Sequence, residues 1–145
     1  VSRVTMDYNI GLPTNIAKQK LQLKNGEEVL ASNNVYWGEE GPIGQSFLQI
    51  PMELITGSGI DGKEPDEEQL LHFMDSMIYQ KAVKAHMTIQ VVAADEQVIS
   101  YMNIPEGTVL LHMEQILYGP DFSPAARIKY YFIPDKYQVD CQLQA

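Results

Sequence analysis

A single cysteine, Cys141, stands in a chain of 145 residues. One thiol makes no intrachain disulfide and no CxxC metal pair, and its run, residues 138–143, reads as a strand in which a cysteine packs as a small hydrophobe. A reducing cytoplasm fits this usage. Histidine is equally sparse: His72, His86 and His112 are the only three. No two are spaced i, i+4, and no HExxH occurs, so none reads as a metal ligand and no cofactor is expected. Basic residues are few. Ten Lys and Arg face nineteen Asp and Glu, a net charge of −9. A surface that grips nucleic acid needs clustered cations, so this segment is not expected to bind nucleic acid itself. No apolar run approaches the roughly 18 residues that cross a bilayer. The first nine residues are mixed and polar, unlike a signal peptide.

What is present suits one α+β domain spanning residues 1–145, with 45% hydrophobic residues to build a core. The chain starts with Val, which suggests a piece of something longer. Residues 1–8 alternate loosely, and Gly11-Leu12-Pro13 breaks the run. Residues 16–37 read as a β-hairpin around Asn25-Gly26. The preferred three-residue loop, Lys24-Asn25-Gly26, has Gly26 left-handed and Leu23 opposite Glu27. That register stacks Leu21, Val29 and Ala31 on one face and Lys18, Lys20, Gln22 and Ser32 on the other. Residues 38–63 are rich in Gly and Pro and read as a long loop carrying a short helix or strand. Residues 66–79 are the clearest helix. Asp66 and Gln69 form a capping box, and Leu70, Phe73, Met74, Met77 and Ile78 make an apolar stripe. A strand follows at 85–93, then a short helix at 96–102 capped by Asp95. A turn at Pro105-Glu106-Gly107 leads to strands at 108–118, 125–133 and 137–143. Short turns favour antiparallel pairing, which predicts an antiparallel sheet with helices packed on one face.

Catalytic signatures are missing. Ser46 has no GxSxG elbow around it. Gly57-Ser58-Gly59-Ile60-Asp61-Gly62 imitates GxGxxG in spacing, yet Pro65 and a carboxylate run follow it instead of a helix. The pairs Glu27-Glu28, Glu39-Glu40 and Glu67-Glu68 sit in turns or at a helix start, where acid favours the helix N-terminus.

Two stretches carry a family likeness: AADEQVISYMNIPEGTVLLHMEQILY, residues 93–118, and SPAARIKYYFIPDKYQVDCQL, residues 123–143. Ala94-Asp95 opens a short helix. Ile104, Gly107, Leu110 and Leu111 follow as turn and strand. Tyr118, then Pro124-Ala125-Ala126, then Phe132-Ile133-Pro134-Asp135-Lys136-Tyr137 close the pattern. In order and spacing these resemble the UTRA domain, the effector-binding half of GntR-type transcription regulators of the HutC subgroup. The hairpin at 16–37 is matched to the family's R-x-R-l-x-d-G-e-P-v segment, and residues 69–79 to its helix. The resemblance implies a chorismate-lyase-like fold, a metabolite pocket between sheet and covering segments, a homodimer, and a winged-helix DNA-binding domain N-terminal to this segment. It implies a cytoplasmic regulator with no membrane partner, and not an enzyme.

The same resemblance nominates ligand-binding positions. Lys20 and Gln22 stand for two hairpin arginines, Gln69 for a phosphate-binding serine, and Ser32 and Ala126 for two glutamates; Phe132 replaces a tyrosine. Asn34 and Tyr130 complete the set. Only Lys20 keeps a charge, and a lysine lacks the bidentate fork of arginine. A small apolar or aromatic effector is therefore expected in place of a sugar phosphate. On the residues alone, Lys20, Ser32 and Asn34 read equally as solvated strand positions, and Tyr130 and Phe132 as plain sheet core. Arg127 and Lys129 alternate to the other face, toward solvent or a dimer contact. The alternatives are a chorismate pyruvate-lyase-like enzyme of the same fold, and an interaction domain with a vestigial pocket. The first needs a hairpin arginine and a strand glutamate, for which the chain offers Lys18 or Lys20 and Tyr130.

Overall fold

The structure, a computed structural model, describes residues 3–57, 66–136, 138–140 and 142. The Gly57–Gly62 imitation of a phosphate loop, most of the carboxylate run from Asp61, and Tyr137, Cys141 and Leu143 of the expected last strand fall largely outside these residues. Gln138, Val139 and Asp140, which are described, are not in a strand.

Six antiparallel strands form one sheet in the order β1-β2-β3-β6-β5-β4. They are β1 (Arg3–Gly11), β2 (Val29–Trp37), β3 (Pro42–Pro51), β4 (Lys84–Ala93), β5 (Val109–Tyr118) and β6 (Pro124–Phe132). Four short helices accompany them: α1 (Asn15–Lys20), α2 (Met52–Thr56), α3 (Glu67–Phe73) and α4 (Glu96–Met102). The α+β class and the antiparallel sheet are as the sequence predicts. The helices, however, divide between the two faces.

One face collects Leu30 of β2, Leu48 and Ile50 of β3, Leu117 of β5 and Ala126 and Ile128 of β6 under Leu70, Phe73, Met74 and Ile78. Burying each large aliphatic or aromatic side chain contributes roughly 1.5–3 kcal/mol. The other face carries a smaller cluster, in which Val98 and Met102 of α4 meet Leu110 of β5 and Tyr131 of β6. Strand alternation separates the two sets, since Ile128 and Tyr131 differ by an odd number of residues.

The expected hairpin at 16–37 is not formed. Thr14 accepts a hydrogen bond from the Ala17 amide at 3.2 Å and caps α1. Ala17 and Leu21, four apart, turn the same way into the core at 0% and 2% exposure. A helix buries that pair, whereas a strand would split it from its polar neighbours differently. The tight turn at Asn25-Gly26 does exist. The Glu27 amide donates to the Lys24 carbonyl at 3.2 Å, and Gly26 has φ +85. It joins the exit of α1 to β2, and β2 pairs back on β1.

The region expected as a loop from residue 38 also differs. It holds β3, which lies between β2 and β6. The real hairpin is β2–β3, turning through Gly38–Gly41 with Gly41 at φ +148. Pro42 is tolerated because it stands at the first position of the strand.

The helix predicted at 66–79 is present in two parts. Asp66 and Gln69 form the reciprocal capping box. After Phe73 the chain widens into a π-helical segment, Met74–Tyr79. Wider turns of this kind recur at functional sites. Both α4 and its Asp95 cap lie where the sequence places them.

Candidate functional site

Between the sheet and α3 lies a cavity of about 190 Å³. Val4 and Met6 of β1, Asn34 and Tyr36 of β2, and Ser46 and Leu48 of β3 form much of its floor. Ile128 and Tyr130 of β6 continue that floor. The roof is Leu70, Leu71, Met74 and Tyr79, so the π-helical segment contributes two of the four. None of the described residues that line it is charged.

The floor carries one buried polar chain. Ser32 Oγ donates to Asn34 Oδ1 at 2.8 Å, and Asn34 Nδ2 donates to Ser46 Oγ at 3.1 Å. Ser46 Oγ and the Tyr36 hydroxyl lie 2.9 Å apart. Ser32, Asn34 and Ser46 are 1%, 6% and 1% exposed. Strand geometry places them: Asn34 is in register with Ser46, and Ser32 sits two residues along the same face. Buried polar groups that satisfy one another hold a unique arrangement. Beside Ser46, on its register partner in β6, the Tyr130 hydroxyl approaches the Tyr79 hydroxyl of the roof to 3.3 Å. The Tyr130 ring stacks on Phe132 with centroids 5.5 Å apart.

Of the residues nominated from the sequence, Asn34 and Tyr130 line the cavity. Ser32 reaches it through its hydrogen bond to Asn34, and Phe132 through its stack with Tyr130. Ala126 is fully buried core on the same face, away from the lining. Gln69 is spent on the capping box. Gln22, at φ +55, borders a separate, larger groove of about 500 Å³ reached from the Phe73, Met77 and Ile78 side of the roof helix.

Lys20 lies elsewhere again. Its Nζ donates to Glu114 Oε1 at 2.5 Å, and Glu114 belongs to the opposite face of the sheet. There Arg127 Nε and Nη2 donate to Glu114 Oε2 at 3.0 and 2.8 Å, and Nη1 donates to Gln49 Oε1 at 3.0 Å. Arg127 thus faces away from Tyr130 as expected, but at 5% exposure it is a buried ion-pair partner, not a solvent-facing cation. Burial pushes the Glu114 carboxyl up, yet the Lys20 and Arg127 hydrogen bonds outweigh it and hold the group below its ordinary value. Burial lowers the Lys129 ammonium, helped by the Arg127 charge.

The misplacement has one cause. The R-x-R-l-x-d-G-e-P-v segment was laid on a hairpin that does not form. Asn34 and Tyr36 of β2 line the cavity. Ser46 was weighed only as a nucleophile. Its alternation with Leu48 and Ile50 was the available signal for a pocket-facing strand residue.

The UTRA domain family matches residues 6–138. The chain belongs to this family. No curated protein sequence matches it. Among solved structures, a GntR-family transcriptional regulator from Enterococcus faecalis V583 is 19% identical, with TM-score 0.78 over 97% of this chain and 100% of that one. The effector-binding domain of the Bacillus subtilis trehalose repressor is 8% identical, with TM-score 0.78 over 99% of both chains. The Bacillus subtilis protein YydK is 15% identical, with TM-score 0.78 over 97% of this UTRA domain but 62% of its own length. At these identities the likeness is one of fold.

Proposed function

We propose that this UTRA domain senses a small, uncharged, largely apolar metabolite in the cavity under α3. In this reading it passes the signal, as a homodimer in the cytoplasm, to a winged-helix DNA-binding domain joined to it, in the manner of HutC-type GntR regulators. The observation that carries the reading is the cavity itself. It is apolar and closed on one wall by a hydrogen-bonded Ser-Asn-Ser-Tyr chain, and none of its described lining residues is charged. Its volume of about 190 Å³ is little more than the roughly 150 Å³ of an engineered cavity that takes benzene. One ring with a single hydroxyl or carbonyl fits that space, with its polar group against Asn34 and Ser46. A phosphorylated sugar is larger and would meet no cation among the described lining residues. The naming of one Bacillus subtilis structure as a trehalose repressor domain supports the sensing role and leaves the ligand class to the lining.

Catalysis of the chorismate-lyase kind finds no support in the lining. An acid–base step needs a titratable group within hydrogen-bond reach of the reacting atoms, and among the described lining residues only tyrosines titrate. Among the described residues no helix is long and apolar enough to cross a membrane, and no cluster of metal-ligating side chains occurs.

Thermal unfolding with phenol or with glucose 6-phosphate tests the ligand class, because a ligand that binds only the folded state raises the midpoint. Phenol is expected to raise it, and Leu71→Trp is expected to abolish the rise. Leu71 is 53% exposed, so the larger ring can fill the cavity mouth without crowding the core. A clear rise with glucose 6-phosphate and none with phenol would overturn the reading.

A further inference from the structure

We propose that Lys129 is a modification site, at which an acyl phosphate such as acetyl phosphate transfers its acyl group to the side-chain nitrogen. The site lies on the face of the sheet opposite the cavity, and the inference does not depend on what the cavity binds.

Carboxylate is in short supply on this face. Lys129 of β6 is the register partner of Glu114 on β5, and Arg127 stands two residues along the same face. α1 brings Lys20 to the same carboxylate. Three cations therefore gather at Glu114, and both its oxygens are taken. Oε1 accepts from Lys20 at 2.5 Å and Oε2 from Arg127 at 2.8 Å. Among the described residues Lys129 has no ion pair. Its Nζ lies 5.1 Å from the ring centre of Phe47, its register partner on β3. A phenyl face holds a cation only weakly and accepts no conventional hydrogen bond. The other titratable groups nearby have their own partners. His112 and Tyr131 stack on each other, and Asp95 spends an oxygen on the Val98 amide that starts α4.

The Lys129 ammonium is thus half-buried and unmatched. Burial disfavours it most, then the Arg127 charge, with Lys20 adding to both, and together they outweigh Glu114 and Asp95. A lysine that is desolvated or set beside another cation becomes a nucleophile at lower pH than a solvated one. The free amine attacks the acyl carbon. The carbon–nitrogen bond forms, the bond from that carbon to the phosphate oxygen breaks, and phosphate leaves with the electron pair. The nitrogen releases a proton to solvent. Charge also guides the reagent. An acyl phosphate is an anion, and a chain of net charge −9 repels it except where cations collect. Lys20, with its side chain 38% exposed, and Arg127 make this such a place. The product is a neutral amide, which ends the repulsion between Lys129 and those two cations.

Incubation of the domain with acetyl phosphate, followed by digestion and mass spectrometry of each lysine, tests this. Lys129 is expected to acetylate several-fold faster than the exposed Lys24, Lys81 and Lys84, although access alone favours those three. Its rate should reach half its maximum at a lower pH than theirs. In urea the lead is expected to vanish, because the fold creates the surroundings. Lys20→Met is expected to slow Lys129 several-fold. Glu114 Oε1 is then free for its register partner, and an opposite charge close by favours the ammonium. Exposed lysines that outpace Lys129 in the folded domain would overturn the proposal. So would a Lys20→Met domain in which Lys129 reacts no slower, or a lead that survives urea, since local sequence would then be its source.

Discussion

Asn34 and Ser46 face each other across β2 and β3, and the Asn34 amide donates to the Ser46 hydroxyl at 3.1 Å. Because Ser32 donates to the other end of the same amide, Asn34 is the centre of the buried chain. Asn34→Leu takes the Asn34 partner from two buried hydroxyls at once, leaving Ser46 its contact with Tyr36. A buried polar group left without a partner costs about 1–3 kcal/mol, so chemical denaturation of the variant is expected to show a loss in that range or above. Ser46→Ala takes a partner from both the Asn34 amide and the Tyr36 hydroxyl and should cost a similar amount. The triple variant S32A/N34L/S46A should recover much of the loss, because apolar groups then replace both partners. Simple additivity of the three would show that the chain is not a unit.

On the opposite face Glu114 holds two cations of unequal burial. Arg127 is 5% exposed, whereas the Lys20 side chain is 38% exposed. Glu114→Gln leaves the Arg127 charge buried and unmatched, and breaking a buried pair in this way costs about 3–5 kcal/mol. Lys20→Met removes a partly solvated partner and should cost within about 1 kcal/mol. Urea titration of the two variants checks the ratio. Equal losses would mean that α1, and not the Arg127 pair, is what Glu114 anchors.

That asymmetry bears on how far the sequence could be read. The strands β4, β5 and β6 and the α4 cap were legible because short turns and clean alternation isolate them. Residues 16–37 were not, because two local signals compete there. Asn25-Gly26 is a strong hairpin signal, and its turn does form. The helical pair Ala17 and Leu21 is the weaker signal, in a helix of six residues, and long-range burial decided in its favour. Lys20 and Gln22 were carried to the wrong place by that error alone. β3 was hidden by the Gly and Pro residues around it, and with it went Ser46. A central strand buried on both faces has little alternation to betray it. Asn34 and Tyr130 lie in segments read as strands, although the partner expected for the first, residues 16–23, is not a strand.

Acid is expected to destabilise the fold in two steps. His112 stacks on Tyr131 with centroids 4.4 Å apart, and its Nδ1 lies 3.0 Å from the Tyr130 carbonyl oxygen. A carbonyl only accepts, so the proton sits on Nδ1. Burial lowers the imidazole below its ordinary 6.5, more than the carbonyl contact raises it. The unfolded chain then takes up that proton first, and stability falls as pH drops below 6.5. Glu114, held below its ordinary 4.5, adds a second loss below that value as its ion pairs are protonated away. Thermal midpoints across this range should decline in both windows. His112→Phe should remove the upper decline and leave the lower one. A midpoint that rises on acidification through the upper window would contradict the burial of a neutral imidazole.

Gly44 sits where β3 crosses Phe132, its register partner on β6. A Cβ on Gly44 would come within 2.6 Å of Phe132 Cδ1 and 3.2 Å of the Tyr131 carbonyl oxygen. The ring must therefore shift, and Phe132 is both 3% exposed and stacked on Tyr130, which lines the cavity. Overpacking of this kind costs about 1–3 kcal/mol, so Gly44→Ala is expected to lower stability by that amount. The displaced ring would also push Tyr130 toward the cavity and weaken phenol binding beyond what the stability loss explains. Pairing Gly44→Ala with Phe132→Leu separates the two effects, because the smaller side chain makes room for the methyl. If the double variant binds and unfolds no better than Gly44→Ala alone, the glycine is needed for some reason other than the ring.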